Sequence, residues 1–317
     1  MTSDLIDDQG GLRQGAEALA ADLRGAVRGE VGFDAGTRAM FAQDASHYRQ
    51  PPIGVVTPVD NEDVEAALEV CRRHEAAVLT RGAGTSLAGQ GCNTAVVIDV
   101  SRHLNRILEI DPDRRLARVQ PGVLLDALRD AAEQHGLTFG SDPSTHASCT
   151  MAGMIGNNAC GVHSLMAGRT SDNVEAMDVL TYDGTRLTVG QTDDPAWEAK
   201  AGEGGRVGEI YRELRRLRDV AADLIRDRYP DIPRRVSGYN LDDLLAEKGG
   251  NIARALSGSE GTCVLHLDTT VRLVTNPPAR RRRTTCPRSS PTSRSAWKAP
   301  PRRSSTTCGP RGSRRTA

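Results

Sequence analysis

The chain has 317 residues, enough for two domains or one large domain with a tail, and its formal net charge at pH 7 is zero. Met1 to Gln14 carries acids and no long apolar run, so neither a secretory signal nor a membrane span is expected there and a cytoplasmic location is. Seven cysteines without a Cys-x-x-Cys pair argue against a disulfide scaffold, a zinc ribbon and a cysteine-ligated iron–sulfur cluster, and no metal site is expected.

In chain order, residues 1–36 read as a helical lead-in. Gly54-Val-Val-Thr-Pro58 reads as a short buried strand, after which Asp60 caps a helix with Asp63 in its first turn. Val64, Ala67, Leu68 and Cys71 fall on one face of that helix, and Val59 with Val64 takes the two positions of a hydrophobic staple. Ala77-Val-Leu-Thr80 follows as a strand, so Gly54 to Thr80 is expected to form a right-handed βαβ unit that runs straight into a glycine-rich loop.

Ala95 to Val100 reads as a buried strand, and Arg106 to Ile110 and Leu116 to Val119 as strands around the turn Asp111-Pro-Asp113. Gly122 is expected to open a helix with Leu125, Leu128 and Ala132 on one face, closed by Gly136. Val174 to Tyr182 and Arg186 to Val189 bracket a Tyr-Asp-Gly hairpin turn. Gly208 to Arg228 reads as an amphipathic helix with Ile210, Leu214, Leu217 and Leu224 towards the core; Cys263 to Leu267 and Thr270 to Val274 read as two closing strands.

The zero net charge conceals a division. Twelve of the 41 bases lie between Arg280 and Ala317 with no acid among them, leaving 29 bases against 41 acids before that point. From Ala279 onward there is no Leu, Ile, Val, Met, Phe or Tyr, a composition that cannot offset the entropy of ordering, so residues 277–317 are expected to be a disordered basic tail. The abrupt change of composition suits a shifted reading frame or a truncation. A natural arm that neutralises the phosphates of a nucleic acid is the alternative, and no nucleic-acid partner is assigned.

Three segments carry chemistry. In Arg81-Gly-Ala-Gly-Thr-Ser-Leu-Ala-Gly-Gln90, the small residues let successive backbone N–H groups line a concavity suited to an anion, and Arg81, Thr85 and Ser86 add side-chain donors. The loop connects two strands and lacks a following Lys, which excludes the Rossmann and Walker phosphate loops; taken alone it reads first as an ordinary strand-to-strand turn. Ser141 to Gly161 packs hydroxyls, small residues and two amides into one stretch suited to a flat ligand, with a short helix Met151 to Ile155 ended by a Gly-Asn cap as the plainer alternative. Gly258-Ser-Glu-Gly-Thr-Cys263 is a glycine turn leading into a strand.

Together, from about Thr37 to Asn276, these segments resemble the FAD-binding domain of vanillyl-alcohol-oxidase (PCMH) type. The likeness is to the glycolate and D-lactate dehydrogenase branch of the FAD-linked oxidases. It extends to Asp44-Ala-Ser-His-Tyr-Arg49, Gln120-Pro-Gly122 and Gly168-Arg-Thr-Ser-Asp-Asn-Val174. The resemblance implies an α+β fold in which two α/β subdomains, about 37–100 and 101–276, hold FAD between them. Carried over position by position, it implies cofactor contacts at Arg81, Gly82, Ala83, Gly84, Thr85, Ser86, Gly89, Pro143, Ser144, Gly153, Asn157, Asn158, Gly161, Glu260, Gly261 and Thr262. Some relatives tether the flavin through a His in the glycine loop; Thr85 and Ser86 stand in that neighbourhood here, which implies non-covalent binding.

The implied reaction is oxidation of a small 2-hydroxy acid such as D-lactate or glycolate, with hydride transfer to the flavin and an unidentified electron acceptor. The family's substrate machinery lies largely in a cap domain that this chain stops matching near Pro278, so no catalytic residue is assigned. A remnant that binds FAD without turnover is the alternative. His146 and His163 flank the flavin segment and read as structural hydrogen-bonding residues before catalytic ones, and Arg169 is a candidate to face substrate.

Overall fold

The computed structural model describes Leu5 and residues 14–276. The expectation of a disordered tail over 277–317, with the basic-arm alternative, lies outside the described residues.

The first layer is built from helices α1 (Gln14–Ala26), α2 (Ala35–Met40) and α3 (Asn61–Arg73) around strands β1 (Glu30–Gly32), β2 (Gly54–Thr57), β3 (Val78–Arg81) and β4 (Val96–Asp99). Asp60 caps α3 as expected, accepting the Asp63 N–H at 3.0 Å. Val59 stays exposed, however, so the helix entry is fixed by Asp63 rather than by a staple. The Asp63 carboxylate is buried and accepts the N–H groups of Arg28, Gly29 and Val59. These donors outweigh desolvation, which alone would raise the carboxyl, and hold its pKa below the ordinary value.

The sheet order is β1-β2-β4-β3, with β1 antiparallel to β2 and the other three strands parallel. The expected βαβ unit is therefore not a neighbouring pair, because β4 lies between β2 and β3. Burial gives the reason: Val96 to Asp99 is buried along its whole length and takes the centre, while every residue of β3 is only half-buried and takes the edge. The sheet also starts ahead of residue 37. α1 buries Leu19 and Leu23 in one core with Val56, Val64, Leu68 and Ile98, and β1 pairs with β2, so residues 14–36 belong to this layer rather than leading into it.

The second layer begins with β5 (Ile107–Asp111), β6 (Leu116–Val119), α4 (Leu125–Glu133) and β7 (Leu137–Thr138). Helix α4 starts after Leu124 rather than at Gly122. Gly122 instead packs so tightly that a Cβ there would lie 2.2 Å from the Val100 carbonyl oxygen. Next come α5 (Met151–Gly156), α6 (Ser164–Ala167), β8 (Val174–Leu180), β9 (Arg186–Gly190), α7 (Asp194–Gly202), α8 (Gly205–Arg228) and α9 (Ile252–Leu256). The layer closes with β10 (Leu265–Arg272) and β11 (Val274–Thr275). Five strands form an antiparallel sheet in the order β5-β6-β10-β8-β9. The two closing strands expected from the sequence are mostly one: β10 runs through both, with a register shift between His266 and Thr269 where the pattern breaks.

Helices α4 and α5 cover one part of this sheet, burying Leu125, Leu128, Met151 and Met154 with Phe139 and Val271. Helices α7, α8 and α9 cover another, around Trp197. The buried side of α8 carries Tyr211 and Ile225, with Ile210 and Leu214 packed against the core around Trp197 and Tyr211, whereas Leu217 and Leu224 are exposed, contrary to the sequence expectation. Trp197 fixes this rotation. Its ring meets Tyr211 edge-on at 6.0 Å, its Nε1–H donates to the Tyr211 carbonyl at 2.9 Å, and the Arg218 guanidinium lies over it at 5.0 Å.

Candidate cofactor site

Strand β3 ends at the edge of its sheet and hands the chain to the loop 82–95, which returns to the centre as β4. Arg81 organises the start of this loop. Its guanidinium donates to the carbonyls of Phe41 at 2.8 Å, Gln43 at 2.6 Å and Gly91 at 2.9 Å, and lies 5.3 Å from the Phe41 ring centroid. Asp44 accepts the Gly91 N–H at 3.0 Å, and the Ala45 N–H donates to the Gly84 carbonyl at 3.0 Å. The segment Asp44 to Arg49 is thus a buttress for the loop. Gly84 and Gly89 have φ of +66° and +89°, conformations that suit glycine. The backbone N–H groups of Gly82 through Ser86 donate to no acceptor among the described residues.

The facing wall is α5 with the turn that follows α9. Thr150 caps α5 by accepting the Gly153 N–H, and Gly82 approaches that hydroxyl closely. The turn 258–261 is held to the C-terminal end of α5 by N–H donation from Gly258 to the Ile155 carbonyl at 2.8 Å and from Glu260 to that of Gly156 at 2.9 Å. Gln90 Nε2 donates to Glu260 Oε1 at 3.1 Å and so joins the loop to this turn. Leu79, Thr80, Val100, Pro121, Val264 and His266 complete the lining. The space between the walls, counted together with its open mouth and the solvent there, is about 800 Å³.

Three buried polar atoms on this lining have no hydrogen-bond partner: Gln90 Oε1, Asn157 Oδ1 and His266 Nε2. Buried polar groups are normally paired, so three on one cleft mark a surface complementary to a polar ligand. Burial pushes the His266 pKa down to about 4, which keeps the ring neutral at pH 7.

Of the positions expected from the sequence, Arg81, Gly82, Ala83, Gly84, Thr85, Ser86, Gly153, Asn157, Glu260 and Gly261 line this cleft. Gly89, Pro143, Ser144, Asn158, Gly161 and Thr262 are not among the lining residues. Gly89 packs on Tyr48, and the Pro143 carbonyl accepts the His146 N–H in a turn that includes Ser144. Asn158 is buried with Oδ1 accepting the Ser171 N–H at 3.0 Å, a Cβ on Gly161 would lie 2.0 Å from the Asp142 carbonyl oxygen, and the Thr262 hydroxyl bonds the Ser259 carbonyl at 2.6 Å.

The cationic expectations need correction. The Arg81 side chain, expected as a ligand donor, places three of its five N–H donors on carbonyls and so first of all holds the loop. Arg169 does not face an open site: it is paired with Asp172 and donates to the Arg235 carbonyl at 2.7 Å. His146 is bonded to Asp126 and His163 to Asp142, which accords with structural roles. Thr150, Gln90 and His266 were not singled out from the sequence. Thr150 was visible as a helix-capping residue, but nothing near His266 distinguishes it from any other strand residue.

Residues 52–190 match a family described as an FAD binding domain. The chain is 36% identical over 250 residues to D-2-hydroxyglutarate dehydrogenase of Pseudomonas putida, a match covering 78% of this chain and 25% of that protein. It is 41% identical over 159 residues to glycolate oxidase subunit GlcD of Escherichia coli, covering 49% of this chain and 32% of that one. The chain thus spans about a quarter to a third of the length of these relatives. The solved structure of an alkyldihydroxyacetonephosphate synthase superposes with a TM-score of 0.58 at 17% identity, over 83% of this chain and 41% of that one, a likeness of fold. No described helix is long and apolar enough to cross a membrane. The fold is the α+β PCMH-type FAD-binding fold of two α/β subdomains, the cofactor of the domain is FAD, and the chain carries a domain of the FAD-binding family and is similar to FAD-linked oxidases of the glycolate and D-lactate dehydrogenase-like branch.

Proposed function

We propose that the cleft between the loop 82–91 and α5 holds FAD non-covalently, and that the chain is the FAD-binding part of a dehydrogenase acting on a small 2-hydroxy acid such as D-lactate or glycolate. The observation that carries this is the combination, on one cleft, of free backbone donors at Gly82 to Ser86 with unpartnered polar atoms at Gln90, Asn157 and His266.

The N–H groups of Gly82 to Ser86, with the Thr85 and Ser86 hydroxyls, bind the pyrophosphate. Each bond to a charged oxygen contributes about 1.5–3 kcal/mol, so three or four supply tight binding without a covalent link. Gln90 Oε1 and Asn157 Oδ1 are acceptors and take N–H or O–H donors of the cofactor. Leu79, Val100 and Val264 give the cleft apolar surface for the uncharged parts of the cofactor. Bound FAD supplies the acceptor for the hydride of the substrate α-carbon. The proposed domain runs to residue 276 and takes residues 14–36 into its first layer, and free cysteines at 71, 92, 149, 160 and 263 suit a reducing compartment, for which we propose the cytoplasm.

A second reading, FAD binding without turnover, is favoured by one observation. Arg81 is the cation on the described lining, and three carbonyls already take both Nη1 donors and one Nη2 donor, which leaves it without a free fork for a substrate carboxylate on the Nη1–Nη2 edge. The two readings separate in one experiment on the full chain. After FAD loading and desalting, retained absorption at about 450 nm reports binding. Anaerobic bleaching by D-lactate, glycolate or D-2-hydroxyglutarate then reports oxidation. A yellow protein that none of these bleaches supports the second reading, and a colourless one overturns both.

A further inference from the structure

His266 and Val264 both line the cleft, two residues apart where β10 begins, while Leu265 and Leu267 pack into the core of the first layer. The imidazole is only 8% exposed, and its Nε2 has no hydrogen-bond partner. A buried polar atom left unpaired is unfavourable, and an aliphatic side chain in the same place would not carry that penalty. Two further unpaired polar atoms, Gln90 Oε1 and Asn157 Oδ1, line the same cleft, so the vacancy at His266 is part of a set.

We infer that His266 is a cofactor contact residue whose Nε2 hydrogen-bonds FAD bound in the cleft. The inference rests on the FAD reading given above. Burial holds the ring neutral, so one ring nitrogen donates and the other accepts. The lining also carries Leu79, Val100 and the neighbouring Val264, an apolar setting in which a charged phosphate would be desolvated without a cation. The partner of His266 is therefore an uncharged polar atom of the cofactor rather than its pyrophosphate.

The test uses the full chain as wild type, His266→Leu and His266→Gln, each titrated with FAD by flavin fluorescence, with the Tm of each FAD-free protein measured alongside. His266→Leu is expected to bind FAD about tenfold more weakly while its FAD-free Tm is unchanged or higher. His266→Gln, which keeps a donor and an acceptor, is expected to bind within about threefold of wild type. In wild type labelled with 15N-histidine, the His266 ring nitrogen resonances are expected to shift when FAD is added. Equal FAD affinity in wild type and His266→Leu would overturn the contact. So would weakened binding in both variants with a lowered FAD-free Tm, which marks a packing role. Failure of the wild type itself to bind FAD removes the reading of the cleft and this inference with it, a result distinct from equal binding.

Discussion

Gly82 and Thr150 join the two walls of the cleft: a Cβ built on Gly82 would lie 2.1 Å from Thr150 Oγ1, the hydroxyl that caps α5. That distance is too short for any real side chain, so Gly82→Ala must push the loop away from the helix or displace the cap. The variant is expected to lose about 1–3 kcal/mol of stability and to bind FAD more weakly. Thr150→Ala alone forfeits a cap worth about 1 kcal/mol. If the clash is the cause, the double variant Gly82→Ala/Thr150→Ala will be more stable than the sum of the two losses allows. Strictly additive losses in urea unfolding would sink this explanation.

Arg81 distinguishes a loop organiser from a ligand donor. Arg81→Met strands the carbonyls of Phe41, Gln43 and Gly91 and is expected to destabilise the chain by about 2–4 kcal/mol. Arg81→Lys should recover only part of this, because an ammonium lacks the planar fork that reaches several acceptors at once. The check is thermal unfolding of the FAD-free proteins. An Arg81→Met variant as stable as wild type but unable to bind FAD would return the side chain to the ligand role that the sequence suggested.

Asp243 gives the molecule a pH signature. It is buried in the short 3₁₀ turn Leu241–Leu244, its Oδ2 is unpaired, and burial first and the neighbouring Asp242 second raise its pKa to about 6 against the downward pull of Arg169. A folded-state pKa above the unfolded value means that this group's contribution is most favourable below about pH 4 and is lost as pH rises through about 6. Asp243→Asn is therefore expected to be more stable than wild type by about 2 kcal/mol at pH 8 and nearly equal to it at pH 4. Urea unfolding at the two pH values decides the matter; the same difference at both would show that the charge is not responsible.

Features set by neighbours in sequence were legible in advance. The Asp60 cap, the hairpin around Asp183 and Gly184, the short helix after Thr150 and the strand-to-strand placement of the glycine loop follow from residues within a few positions of one another. The coexistence of that helix with the cleft shows that the two readings of Ser141 to Gly161 were never exclusive: α5 is the wall on which Gly153 and Asn157 are displayed.

What stayed hidden depends on partners far along the chain. The rotation of α8 is set by Trp197 on another helix, and the central place of β4 by competition among strands for burial. Arg81 looked like a ligand donor because its sequence neighbours are glycines, while the carbonyls that hold it come largely from a segment forty residues earlier. The amino-acid sequence by itself determined that Arg81 to Gln90 is a small-residue loop between strands with a family resemblance to an FAD cradle. Only the tertiary structure decided which residues line the cleft. Periodicity and capping are local, whereas pairing one polar atom and leaving another unpaired is settled by the packing of remote segments, as Gln90 against Glu260 and the unpartnered Nε2 of His266 both demonstrate.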